Sequence, residues 1–217
     1  MLKDKNAMKL VWTCGLVIAF ANTYGSIIGI LVNEFGYHDE VSSLFGIIFI
    51  LGSIIGAVVF GVIVELFNNY KSATVIICGM GAISSIFVEV SMHIHNIVLA
   101  SLSFGFNGAA LAVLPVGIDF AVELTYPVAE SISTGLLMSM GNFIGLFLTL
   151  ALGLLIGQYD RTGAWISMAI LSLTACASLV MSCTIKEDLK RQKDEKEKAL
   201  PLGRTRSAME VTDPGYA

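Results

Sequence analysis

Six long apolar runs dominate this chain and dictate what it can become. They cover residues 10–33, 41–66, 73–92, 97–122, 131–156 and 164–184. Crossing ~30 Å of hydrocarbon takes ~20 residues of α-helix. Short polar breaks separate the runs: EFGYHDE at 34–40, FNNYKS at 67–72, HIHN at 93–96, the stretch around ELTYP at 123–127, and QYDRTG at 158–163. No run alternates with period two, and each is too long for a membrane strand. The expected fold is therefore all-α, a polytopic bundle of six transmembrane helices. Residues 1–9 form a cytosolic N-terminus, 10–184 the membrane domain, and 185–217 a charged cytosolic tail.

Composition leaves little room for anything else. Of 217 residues, 55% are apolar and 14% charged, against about 25% charged in soluble domains. Mean hydropathy is +0.79. Polar groups cannot cover such a chain, which excludes a soluble enzyme or nucleic-acid binder; the lipid bilayer is the expected partner. Lys3, Lys5 and Lys9 before the first run resemble the start of a signal peptide. That run exceeds the ~7–15 residues of a signal core and no A-x-A site follows, so it stays as the first helix.

Lys and Arg set the orientation. With the N-terminus inside, Lys3, Lys5, Lys9, Lys71 and eight basic tail residues lie on the cytosolic side, and Arg161 alone lies outside. The tail IKEDLKRQKDEKEKAL reads as a solvated helix with pairs such as Glu187/Arg191 and Lys190/Asp194. From Pro201 onward it reads as disordered. Cys14, Cys78, Cys176 and Cys183 sit in apolar runs without ligand spacing and read as small buried hydrophobes.

Glycine spacing suggests close helix packing. Gly25/Gly29, Gly52/Gly56, Gly141/Gly145 and Gly153/Gly157 are G-x-x-x-G pairs, which let backbones approach where no hydrophobic effect joins helices. Smooth faces of this kind also suit helices that rock in alternating access. Polar groups at mid-membrane cost energy unless paired or facing water. Asn22, Tyr24, Asn107 and Asn142 fall near the midplane on the first, fourth and fifth helices. They are expected either to line a small solute cavity or to act as hydrogen-bonding glue between helices.

None of these four is an acid or a base that titrates near neutrality. Glu89 lies one turn before His93 and could share a proton or hydrogen bond with it. Asp119 and Glu123 stand four apart at the inner end of the fourth helix, after Pro115, which should kink it. Together with Glu65 and Lys71 they could form an inner-mouth gate, or simply be solvated at the interface. A membrane serine protease would need G-x-S-x-G and a buried His, yet His38, His93 and His95 all fall in outer loops. No helix carries Arg at every third position, as a voltage sensor would, and no span holds a metal-ligand cluster. What remains is a carrier or a packing partner: no enzyme, no metal site and no cofactor.

The string VGIDFAVELTYPVAESISTGL at 116–136 closely resembles the signature between the tenth and eleventh helices of the feline leukaemia virus subgroup C receptor-related transporters. TYGSIIGILVNE and LLMSMGNFIG resemble that family's seventh and eleventh helices. GVIVELFNNYK at 61–71 resembles the inner-loop motif of its parent group, the major facilitator superfamily, with Glu65 at the acidic position and the usual Arg missing. The resemblance covers about 9–184 and corresponds to the C-terminal half of a twelve-helix fold. It implies rocker-switch transport of a choline- or ethanolamine-like amine, or export of haem. It also implies a plasma-membrane location, with a mitochondrial membrane as the alternative.

In the family's choline carriers an aromatic ring on the seventh helix cages the quaternary ammonium and a Gln on the eleventh contacts it. The matching positions here are Tyr24 and Asn142, the latter one methylene shorter than Gln. Cation–π attraction would supply about 2 kcal/mol. No axial haem ligand lies within the spans; His93 and His95 in the outer loop are the available ones. Solute in such carriers sits between two halves near the midplane, so a single half implies six further helices, a homodimer, or a separate half as partner. A half-length regulatory or assembly subunit that does not transport is the competing expectation. An epitope tag after Ala217 should be reached only in permeabilised cells, and one beside Arg161 in intact cells; the reverse labelling pattern would invert the topology.

Overall fold

The computed structural model describes residues 5–67 and 69–185. The tail pairs Glu187/Arg191 and Lys190/Asp194, and the extreme N-terminus, lie outside the described residues. Among the described residues six α-helices appear in order: α1 Lys5–Asn33, α2 Asp39–Phe67, α3 Tyr70–Ile94, α4 Ile97–Ala109, α5 Val113–Thr125 and α6 Glu130–Cys183. A 3-10 turn at Ala110–Ala112 joins α4 to α5. These two make up the expected fourth span, which reaches to Thr125. Regularity yields there because Pro115 has no N–H to offer the carbonyl four residues back, and its ring crowds that carbonyl.

The expected loop at 158–163 is reduced to one non-helical residue, Asp160, inside the element α6. Among the described residues, five helices qualify by length and composition to cross a membrane, and the fifth is the 54-residue α6. At 1.5 Å per residue a straight helix of that length would span ~80 Å, more than twice the hydrocarbon. One residue breaks it: Asp160, with φ 46° and ψ −127°. A Cβ built on Gly163 would come within 2.8 Å of the Leu155 carbonyl carbon and 2.9 Å of the Ile156 Cα. In a straight helix, residues eight apart are ~12 Å distant. The chain therefore doubles back at Asp160, and its two arms, 130–159 and 161–183, lie against each other. A single residue suffices because Gly163 presents no side chain at the point of contact.

Helix ends are satisfied locally where the loops are short. Asn69 accepts from the Ser72 amide at 3.1 Å, and Asn96 accepts from Val98 and Leu99 at 3.0 and 3.1 Å. Both cap donors that an α-helix leaves free at its start. Between α1 and α2, Asn33 donates to Asp39 at 2.8 Å and accepts from the Ser42 hydroxyl at 2.9 Å.

The central element is α1, with 67% of its most apolar window buried, whereas α2 buries only 17%. Much of α2, including Ile50, Ile54, Ile55, Leu66 and Phe67, is exposed. So are Ile83 and Phe87 of α3, Leu102 and Phe106 of α4, and Phe147 and Leu150 of α6. A belt of this extent exceeds the few hundred Å² of apolar patch that water-soluble proteins tolerate and marks a surface solvated by lipid.

Two of the four G-x-x-x-G pairs make the packing. A Cβ on Gly52 would lie 2.9 Å from the Gly105 carbonyl carbon, on Gly56 2.7 Å from Ala109 Cα, and on Gly108 2.8 Å from the Phe49 carbonyl carbon. The backbones of α2 and α4 thus touch. Gly141 and Gly145 do the same for α6 against Ile18 and Ala19 of α1, at 2.6 and 3.3 Å. Gly25, Gly29, Gly153 and Gly157 meet nothing within 4 Å, so their expected packing role is not realised within this bundle. Of the cysteines, Cys14 and Cys78 are buried as expected, but Cys183 is exposed. Gly108→Leu should lower stability in detergent by about 1–3 kcal/mol through overpacking, while Gly25→Leu should stay within about 0.5 kcal/mol of wild type. Equal losses in a denaturant titration would contradict this division.

Candidate functional site: a polar face on α1 and α6

The helical repeat sorts the residues of α1 into two populations. Asn22, Gly25, Ser26 and Gly29 follow at i, i+3, i+4 and i+7 and form one outward stripe. Thr23, Tyr24, Ile27 and Leu31 turn inward and are buried. Asn22 and Tyr24 are two residues apart, about 200° around the helix. They cannot face the same space.

The outward stripe meets the first arm of α6. Asn22 Nδ2 donates to Asn142 Oδ1 at 3.0 Å, and Ser26 donates to the Asn22 carbonyl at 2.8 Å. Just beneath, Thr149 donates to Thr23 at 3.0 Å, and Thr23 to the Gly145 carbonyl at 3.4 Å. The close approach at Gly141 and Gly145 is what brings the two amides within bonding distance. Each primary amide has two N–H donors and two acceptor lone pairs. After the mutual bond, the Asn22 oxygen and the Asn142 NH2 still have capacity, and both side chains are exposed.

Tyr24 lies on the other side of α1, 1% exposed. Its ring packs edge-on against Phe20 at 5.1 Å and Phe104 at 6.0 Å, and parallel to Phe49 at 6.4 Å. The hydroxyl is buried without a hydrogen-bond partner. Asn107 is also 1% exposed, with neither amide atom partnered. The four midplane residues therefore do not converge: two form an open polar face, and two lie inside the helix bundle.

The four inner-mouth residues differ in exposure. Asp119 and Glu65 are exposed, Glu123 is 7% exposed, and Lys71 is half-buried. Asp119 and Glu123 differ in exposure because α5 is a packed helix whose i and i+4 positions straddle the edge of its contact face. Asp119 instead lies within electrostatic reach of Glu130 in the first turn of α6. Among the described residues, Glu65 and Lys71 make no ion pair with each other.

Glu89 bonds to neither the expected His93 nor any other base: it accepts from Ser172 of the second α6 arm at 2.7 Å. The His93 ring lies against Trp165 at 6.0 Å, and Trp165 against Phe35 at 4.9 Å, with Arg161 5.8 Å over the Phe35 ring. Nothing in the sequence pairs residue 89 with 172, or 35 with 165; those contacts follow from the reversal at Asp160. The Thr23–Thr149 bond has a different origin, the register of α1 on the first arm of α6. No group of three or more metal-ligating side chains occurs among the described residues.

No curated protein matches the sequence significantly. The family model described as Major Facilitator Superfamily matches residues 11–211, and it fits what the helices already display: apolar spans, glycine-mediated packing, and one polar face on a lipid-exposed bundle. The chain belongs to the major facilitator superfamily of integral membrane transport proteins.

Proposed function

We propose that this chain carries a small organic solute, a choline-like amine, by alternating access, with the α1/α6 face as one wall of the pathway. The observation that supports this most is the exposed Asn22–Asn142 pair. Two primary amides with spare donors and acceptors are costly against lipid. Beside them Gly25, Gly29 and Gly153 leave room for a solute or an opposing wall. That wall would come from the six-helix half that such carriers place across the midplane, from a second copy, or from a separate half.

In this reading Asn142 and Asn22 hydrogen-bond the solute's polar group. Tyr24 reaches a cation only in a state where its contacts with Phe20, Phe49 and Phe104 have opened, and Asn107 follows the same movement of α4. Because α4 joins α5 through the 3-10 turn at Ala110–Ala112, that turn is the natural hinge, and Asp119 and Glu123 on α5 would move with it. Glu65 and Lys71 at the neighbouring α2–α3 turn complete the inner mouth.

Uptake of radiolabelled choline by cells expressing the 217-residue chain tests the reading. Asn142→Ala should cut uptake on the order of tenfold, the loss of one good hydrogen bond of ~1.4 kcal/mol, and Asn142→Gln should retain it. Tyr24→Phe should preserve uptake, since the ring stays and the hydroxyl is unpartnered, and should leave stability unchanged or raise it by about 1 kcal/mol. Absence of uptake from an inserted chain would overturn the amine reading. Haem efflux, with His93 and His95 at the outer end of α3 as the exposed ligands, and co-purification with a full-length relative would then separate haem export from a subunit role.

A further inference from the structure

A groove of about 640 Å³ runs along the lipid-facing side of α3 and α4, bordered by Ile76, Gly79, Ile83, Phe87, Leu102 and Phe106. It exists because small residues sit between large ones: Gly79 has no side chain, and Ser84 and Ser103 are short. Both serine hydroxyls are turned to their own helices, Ser84 to the Gly81 carbonyl at 3.1 Å and Ser103 to the Leu99 carbonyl at 2.8 Å. The wall is therefore hydrocarbon throughout.

At its Lys71 end the groove has a cationic mouth. Ile76 also borders a second recess, about 440 Å³, together with Lys71, Ser72, Val75 and Cys183. Lys71 makes no ion pair or hydrogen bond among the described residues. It stands in the first turn of α3, where the helix dipole is positive. Lys9 donates to the Thr184 carbonyl at 3.2 Å, one residue from Cys183 of that recess.

We propose that this groove binds an anionic phospholipid, the phosphate against Lys71 and the start of α3, and an acyl chain along the wall from Ile76 to Phe87. The length selects this occupant. Eleven residues at 1.5 Å give ~16 Å, half of the ~30 Å hydrocarbon thickness and so the depth of one leaflet. A partner's transmembrane helix would need the full thickness and no cation at one end. The mouth supplies the charge complementarity: a lone ammonium at the surface adds about 1 kcal/mol toward anionic lipid.

The full chain in nanodiscs of equal parts phosphatidylcholine and phosphatidylglycerol tests this, with retained lipid counted by native mass spectrometry. Phosphatidylglycerol should be retained about fivefold over phosphatidylcholine, and Lys71→Gln should remove most of that preference. Gly79→Leu should lower retention of both lipids by filling the groove; a Cβ there meets only Leu179 Cδ1, at 3.7 Å. Equal retention by the wild type, or an unchanged preference in Lys71→Gln, would overturn the proposal. If that variant does not fold, salt decides with the wild type alone. The preference should shrink as the Debye length falls from ~10 Å to ~3 Å between about 0.1 and 1 M, and a salt-independent preference would overturn it.

Discussion

Hydrocarbon offers no hydrogen bonds, so every backbone N–H and C=O in the membrane must be satisfied inside the chain. Everything else in this structure is arranged around that constraint. It forces helices, and it makes any departure from a helix an event that needs support. One departure occurs within a span: the 3-10 turn at Ala110–Ala112, beside Pro115. It is short, because each residue out of register strands backbone groups. The reversal at Asp160, confined to one residue, lies where the two arms of α6 end.

With hydrogen bonds spent within helices and lipid as apolar as the side chains, cohesion between helices falls to close packing. The backbone contacts of Gly52, Gly56 and Gly108 fuse α2 to α4, and those of Gly141 and Gly145 fix α6 on α1. The second contact has a structural consequence: it sets the register that puts Asn22 against Asn142 and Thr23 against Thr149. Packing thus positions the polar face, and Gly25, Gly29 and Gly153 meet nothing within 4 Å.

The same packing divides the polar residues. An amide on the stripe of α1 that faces outward finds a partner and keeps spare capacity. A phenol two residues on is enclosed by Phe20, Phe49 and Phe104 with its hydroxyl unsatisfied. The enclosed Tyr24 and Asn107 carry the desolvation cost of buried polar atoms without partners.

Much of this was legible in the residues alone. Run length fixed the helices, their number of crossings to within the bend at Asp160, and the membrane as solvent, because hydropathy acts through composition and needs no partner. Glycine spacing picked out Gly52/Gly56 and Gly141/Gly145 but missed Gly108 and Gly163, and it could not separate the packed pairs from Gly25/Gly29 and Gly153/Gly157, which have identical spacing and no neighbour within 4 Å. Midplane position likewise picked out Asn22, Tyr24, Asn107 and Asn142 without their directions. Sequence determines depth in the membrane and local helicity, which are properties of one segment. Only the tertiary structure decided which side of each helix meets another helix, and hence that Asn22 joins Asn142 on an open face, Glu89 bonds Ser172, and Asp119 parts from Glu123. Those facts depend on interhelical register, and register is set by contacts between residues far apart in the chain, 120 positions for Asn22 and Asn142 and 83 for Glu89 and Ser172.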